Sequence, residues 1–98
     1  MKNYVIPRRR GWWSIDALED AEARSRRVGE QDLPDDVRWI RTYVVHEQDG
    51  SLGTFCIYQA TGPDAIREHA SRADVPADEI LEIASTNVVR PDPDRALA

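Results

Sequence analysis

Cys56 and His69 are the residues of this chain best equipped for chemistry. They are its single cysteine and one of its two histidines, and both fall in the stretch FCIYQATGPDAIREHA, Phe55 to Ala70. Thiolate and imidazole suit nickel, copper or zinc, which makes Cys56 and His69 a candidate metal pair. A metal usually takes about four ligands, so water or a second subunit would have to complete the set. The same side chains can equally be a buried thiol acting as a small hydrophobe and an imidazole satisfied by a carboxylate or a backbone group. In a third use His69 moves protons, because imidazole titrates near neutrality unaided. Tyr58 shares a strand face with Cys56 and would then orient a substrate. A cavity lined by Tyr58, Cys56 and His69 would have the general form of a small-molecule pocket.

The second unusual stretch is RRRGWW, Arg8 to Trp13. Adjacent tryptophans in a loop are too apolar for idle exposure. Arg8, Arg10, Trp12 and Trp13 are candidates to close over a flat anionic ligand by charge and stacking. They can also plug one end of the core or clasp a partner subunit, and arginines interleaved with aromatics can stack single-stranded bases. Tyr43, on the central hairpin with Trp39 and Tyr58, joins the candidate ligand contacts. His46, beside the EQDG turn, is expected to be an exposed turn histidine with Glu47 as its neighbour. No glycine-rich phosphate loop, paired-cysteine zinc pattern or nucleophile elbow occurs, and the acidic pairs Glu19–Asp20 and Asp35–Asp36 are solvated surface.

The elements that must position these residues follow from periodicity and punctuation. NYVIP is a short strand closed by Pro7, and RRRGWW is a loop. Ser14 caps a helix over Ile15–Val28 with Ile15, Leu18, Ala21, Ser25 and Val28 on one face and Gly29 as its stop. EQDLPDD is a loop, and VRWIRTYVVHE a long strand. Asp49–Gly50 signals a hairpin into the strand TFCIYQA. TGPD opens a second helix capped by Thr61, with Asp64 completing a capping box, and it runs through AIREHASRA. After a turn at Pro76, ILEIASTNVV is the last strand. The order β-α-β-β-α-β is the ferredoxin-like split unit: an α+β fold with a four-stranded antiparallel sheet and both helices on one face. The strands do not alternate cleanly, so the reverse face of the sheet needs a cover; a second copy in a two-fold dimer is the expected one.

The chain has 98 residues, 41% hydrophobic and 32% charged, the size of one compact domain with an ordinary soluble composition. We assign residues 1–90 to that domain and 91–98 to a loose Pro/Asp-rich tail. A formal charge of −5 argues against broad nucleic-acid affinity. A lone cysteine cannot form an internal disulfide, so a reduced cytoplasm is the expected location. No apolar run is long enough to span a bilayer.

The segments NYVIPR, VRWIRTYVV and TFCIYQATGPDAIREHASRADVPADEILEIA resemble a bacterial domain-of-unknown-function family of small ferredoxin-like proteins labelled nickel-binding-protein-like. The resemblance runs from about Tyr4 to Val89 and is most specific at the aromatic–Cys–apolar–Tyr strand, AIREHA and PADEI. It implies a dimer and, in one branch, nickel or another divalent metal. Cys56 and His69 fall on Cys and His positions of that branch. The branch also places histidine in or just after its first strand, where this chain reads NYVIPRRRGWW. The expected function is a cytoplasmic homodimer binding a small ligand or divalent metal ion. The alternatives are a cofactor-free isomerase, cyclase or monooxygenase with His69 as acid/base, and a structural or regulatory dimer.

Overall fold

The computed structural model describes residues 1–93. Its elements are β1 (Lys2–Trp12), α1 (Ile15–Arg27), β2 (Val37–His46), β3 (Leu52–Ala60), α2 (Pro63–Ala73) and β4 (Leu81–Glu82). All strand pairings are antiparallel in the order β2-β3-β1-β4, as the ferredoxin-like reading requires. Tyr4, Ile6, Cys56, Tyr58 and Ala60 face the helices and form one core with Val28, Leu33, Ile66 and Ala73.

The first strand does not end at Pro7. It continues to Trp12, so RRRGWW is largely strand rather than loop. The period-two alternation of Tyr4 and Ile6 therefore carries Arg8 to the core side, where it is buried. Beyond Arg8 the register breaks: Arg8 opposes Thr54 and Trp12 opposes Leu52, leaving the intervening residues of β1 against Gly53 alone. Such a bulge bends the strand and re-aims its side chains. Arg10 adopts φ 54° within it, a left-handed conformation that costs an ordinary residue roughly 1–2 kcal/mol. Glu47 offsets that cost by accepting from the Arg10 N–H at 2.8 Å and from Arg9 Nε at 2.8 Å and Nη2 at 2.7 Å. A side chain at position 53 would collide with this carboxylate, because a Cβ there would lie 2.5 Å from Glu47 Oε2.

Ser14 caps α1 as expected, its Oγ accepting from the Ala17 N–H at 3.1 Å. Arg24, Arg26 and Arg27 in the last turn match the helix dipole. Leu18, Ala21 and Ser25 are buried, whereas Ile15 at the helix start is exposed. Gly29 does not stop the chain. The helix widens into a π turn over Val28–Asp32, closed by Leu33 N–H to Val28 O at 3.1 Å. The wider turn brings both Val28 and Leu33 into the core.

The hairpin turns at Gly50 with φ 88°, and Asp49 Oδ1 accepts the Ser51 N–H at 2.9 Å. At the second helix the expected Thr61 capping box is absent. Gly62 is the N-cap without a side-chain bond, Pro63 opens the helix, and Thr61 instead ties its N–H to Asp36 O at 3.0 Å. The last strand is much shorter than ILEIASTNVV suggests. Only Leu81 and Glu82 pair with β1, while Val88 and Val89 are exposed. Of the expected tail, residues 94–98 lie outside the described residues, and Asp92 meets Arg41 at 2.6 Å. Among the described residues, no helix is long and apolar enough to cross a membrane.

Candidate functional site

The site begins with Arg8. Arg8 is 4% exposed as a residue, and its guanidinium enters the interior because β1 continues past Pro7. Nε donates to Pro76 O, and Nη1 donates to Cys56 Sγ at 3.2 Å. Nη2 has no partner. Among the described residues, no carboxylate lies within ion-pair distance of Arg8. An unbalanced buried cation costs roughly several kcal/mol even after relaxation, so this arrangement demands a source of negative charge or acceptor oxygen.

Cys56 is buried on β3 and accepts from two directions. Arg8 Nη1 is one donor; Thr42 Oγ1, at 3.2 Å, is the other. Thr54 Oγ1 lies 3.7 Å from the sulfur. A bulge in β2 aligns these groups: Trp39 opposes Tyr58 and Arg41 opposes Ile57, so Ile40 is the extra residue. Trp39 and Thr42 thereby share the helix-side face, and Trp39 Nε1 donates to Thr42 Oγ1 at 2.7 Å. An indole N–H can only donate, which leaves the hydroxyl proton of Thr42 for the sulfur.

Tyr58 lies beside Cys56 on the same face, with Arg8 5.9 Å from its ring centroid and Trp39 stacked at 6.3 Å. Burial, helped by the neighbouring Cys56 and opposed by Arg8, pushes its phenol up to about 12; it is a neutral hydroxyl at physiological pH. A cavity of about 20 Å³ lies between α1 and the sheet, lined by Arg8, Cys56, Tyr58, Thr42, Trp12 and Trp39 among others. That is room for a water-sized molecule. Trp39, Thr42, Glu22 and Ser25 also line a groove of about 1150 Å³. Its wall carries Arg26, Arg38 and Arg41 together with Glu22, Glu30 and Asp92, with Arg26 5.7 Å from the Trp39 ring. Burial and Glu19 raise the Glu22 carboxyl above its usual value, against Arg26.

His69 sits on the far side of Tyr58, its ring edge-on at 5.3 Å, and is 0% exposed. Nε2 donates to Ser25 O at 2.9 Å, which leaves Nδ1 as an acceptor without a partner. Burial, with a smaller contribution from Arg8, lowers its pKa against the pull of the Ser25 carbonyl, so the imidazole is neutral. The polar partners of Cys56 and His69 are entirely different, and among the described residues no group of three His, Cys, Asp or Glu side chains is placed to hold a metal ion. A cation already contacts the thiol. This donor set does not fit a divalent metal.

The structure therefore gathers Arg8, Trp12, Cys56 and Tyr58 at one cavity and sets His69 behind Tyr58. It does not bring Arg10 or Trp13 to that cavity: Arg10 lies in the bulge held by Glu47, and Trp13 is 74% exposed. Tyr43 pairs with Phe55, on the reverse face of the sheet, and lines the groove. His46 is exposed at the end of β2, while its neighbour Glu47 turns inward to the arginines. Thr42, Thr54 and Glu47 were not anticipated from sequence. The period-two run Thr54–Cys56–Tyr58 is the signal that places Thr54 at the sulfur.

The family profile described as nickel responsive protein SCO4226-like matches residues 4–83. Among solved structures, that of SCO4226 from Streptomyces coelicolor A3(2) resembles this chain with a TM-score of 0.69 at 19% identity. The match covers 87% of this chain and 99% of that one, a likeness of fold. None of the curated proteins compared matches the chain.

Proposed function

This chain belongs to the SCO4226-like family, and we propose that it is a small-ligand-binding protein whose site takes a carboxylate at Arg8 rather than a nickel ion at Cys56 and His69. The observation that carries this reading is the buried Arg8 guanidinium, which has, among the described residues, a free Nη2 and no carboxylate partner. A flat carboxylate suits a guanidinium fork and the narrow space before it. The body of the ligand would extend past Trp39 into the groove, where Arg26 and Arg38 stand as cations without a salt bridge among the described residues. His69 lines the groove, but it has no exposed surface and its Nε2 is committed to the Ser25 carbonyl, which favours the binding role over acid–base catalysis. The nickel response named for the family lacks a fitting donor set here.

The test is thermal stability and tryptophan fluorescence of untagged protein across small carboxylates, phosphate and sulfate at fixed ionic strength, with nickel chloride in parallel. A carboxylate should raise Tm in proportion to the logarithm of its concentration, and Arg8→Met should abolish the shift. Stoichiometric nickel binding, or a carboxylate response that survives Arg8→Met, would overturn the reading.

The reverse face of the sheet belongs to the same proposal. Val5, Pro7, Phe55, Ile57 and Tyr43 lie on it by register, and Tyr43 is 53% exposed. Of its bordering arginines, Arg9 is paired with Glu47 and Arg41 with Asp92, while Arg38 reaches the Gln59 amide. A two-fold dimer through this face, which buries its apolar centre, is the assembly we assign.

A further inference from the structure

We propose that Cys56 is a peroxide-reactive site, in which Arg8 holds the sulfur through Nη1 and its free Nη2 receives the oxygen that oxidation adds to sulfur. Arg8 stays charged at any physiological pH, and among its hydrogen-bond partners Cys56 is the one able to carry a negative charge. The sulfur accepts from the guanidinium and from Thr42, whose proton is aimed by the Trp39 N–H. Cysteine attacks as its thiolate, and both donors are placed to hold the sulfur during that attack.

The neighbouring cavity selects the reagent. At about 20 Å³ it has room for a molecule near the size of water, a limit that hydrogen peroxide approaches and bulky electrophiles exceed. The thiolate attacks one peroxide oxygen and the O–O bond breaks. The departing hydroxide takes a proton from solvent and leaves as water. Sulfur is oxidised to the sulfenic acid, and the peroxide is reduced. Arg8 Nη2 has no partner beforehand and lines the same cavity as the sulfur, so the new S–O oxygen gives it an acceptor. With one cysteine in the chain, no internal disulfide can follow. Oxidation also displaces any carboxylate from Nη2; that consequence rests on the binding reading above, whereas oxygen addition does not.

The test exposes folded, untagged protein to hydrogen peroxide and follows it by intact mass and peptide mapping. Cys56 should gain a single oxygen, Cys56→Ser should gain none at that peptide, and native Cys56 should resist iodoacetamide. Arg8→Met and the near-isosteric Thr42→Val should each slow oxygen addition by roughly tenfold or more. Thr42→Val keeps the test valid if the Arg8 variant fails to fold. The proposal is overturned if native Cys56 stays unmodified while the urea-unfolded chain is oxidised, or if native, unfolded and Thr42→Val proteins react at one rate. Anion titration reports separately, because a protein can gain oxygen without ever having bound a carboxylate.

Discussion

The Arg10 N–H donates to Glu47 Oε2 at 2.8 Å, across 37 positions of sequence. That bond closes the bulge which turns β1 after Arg8, and the Arg9 fork occupies the same carboxylate. The end of the β2–β3 hairpin thus fixes the strand that delivers Arg8 to the interior.

Glu47 should consequently control acid stability. Its carboxyl is held down to about 2 from an ordinary 4.5, first by the Arg9 hydrogen bonds and then by the Arg10 N–H, against burial. A depressed carboxyl contributes stability that is complete above the unfolded value and is lost as pH falls toward the folded one. The urea midpoint should therefore drop between about pH 4.5 and about 2. Glu47→Gln should lower Tm by several degrees at neutral pH and flatten that drop. An unchanged acid profile would sink the assignment.

His69 should behave as a neutral, buried group. Its folded pKa lies below the ordinary 6.5 because burial disfavours the charge. For a base shifted downward, the folded state binds fewer protons, so stability is complete above 6.5 and declines as pH falls below it. Chemical denaturation at about pH 7.5 and about pH 5.5 should give a lower midpoint at the acid value. His69→Gln should remove most of the difference, and NMR should find the proton on Nε2. A charged imidazole at neutral pH would contradict the Ser25 contact.

The assembly prediction is equally direct. Phe55 lies on the reverse face with Arg9 5.8 Å from its ring centroid. Phe55→Lys should leave the circular dichroism of the fold intact and convert a dimer to a monomer in light scattering, since a charge buried at such an interface is strongly unfavourable. A wild-type monomer at high protein concentration would dispose of the proposed pairing.

The order of elements was legible because periodicity changes cleanly from two to three-and-four along the chain. Arg8 was harder to read. A run of arginines after proline looks like a solvated loop, yet Tyr4–Ile6–Arg8 already carried the alternation that places Arg8 inside. The last strand misled for the opposite reason: ILEIA is apolar, but only Leu81 and Glu82 find a partner. The Trp39–Thr42–Cys56 relay depends on a bulge at Ile40, and one extra residue in a strand leaves no mark on composition or period. Cys56 and Tyr58 sharing a face followed from strand geometry; the bonding of His69 to Ser25 required the packing of α2 against α1.

The brevity of β4 has a consequence for how the protein behaves in a crowd. From Ile6 to Trp12, β1 has β3 on one flank and, among the described residues, no strand on the other. Such a margin is a template for aggregation by strand addition. Pro7 removes one amide from the template, Arg8 anchors to the Pro76 carbonyl alongside, and Arg9 and Arg10 stand exposed next to them. The same arginine run that furnishes the internal cation thus also keeps foreign strands from annealing.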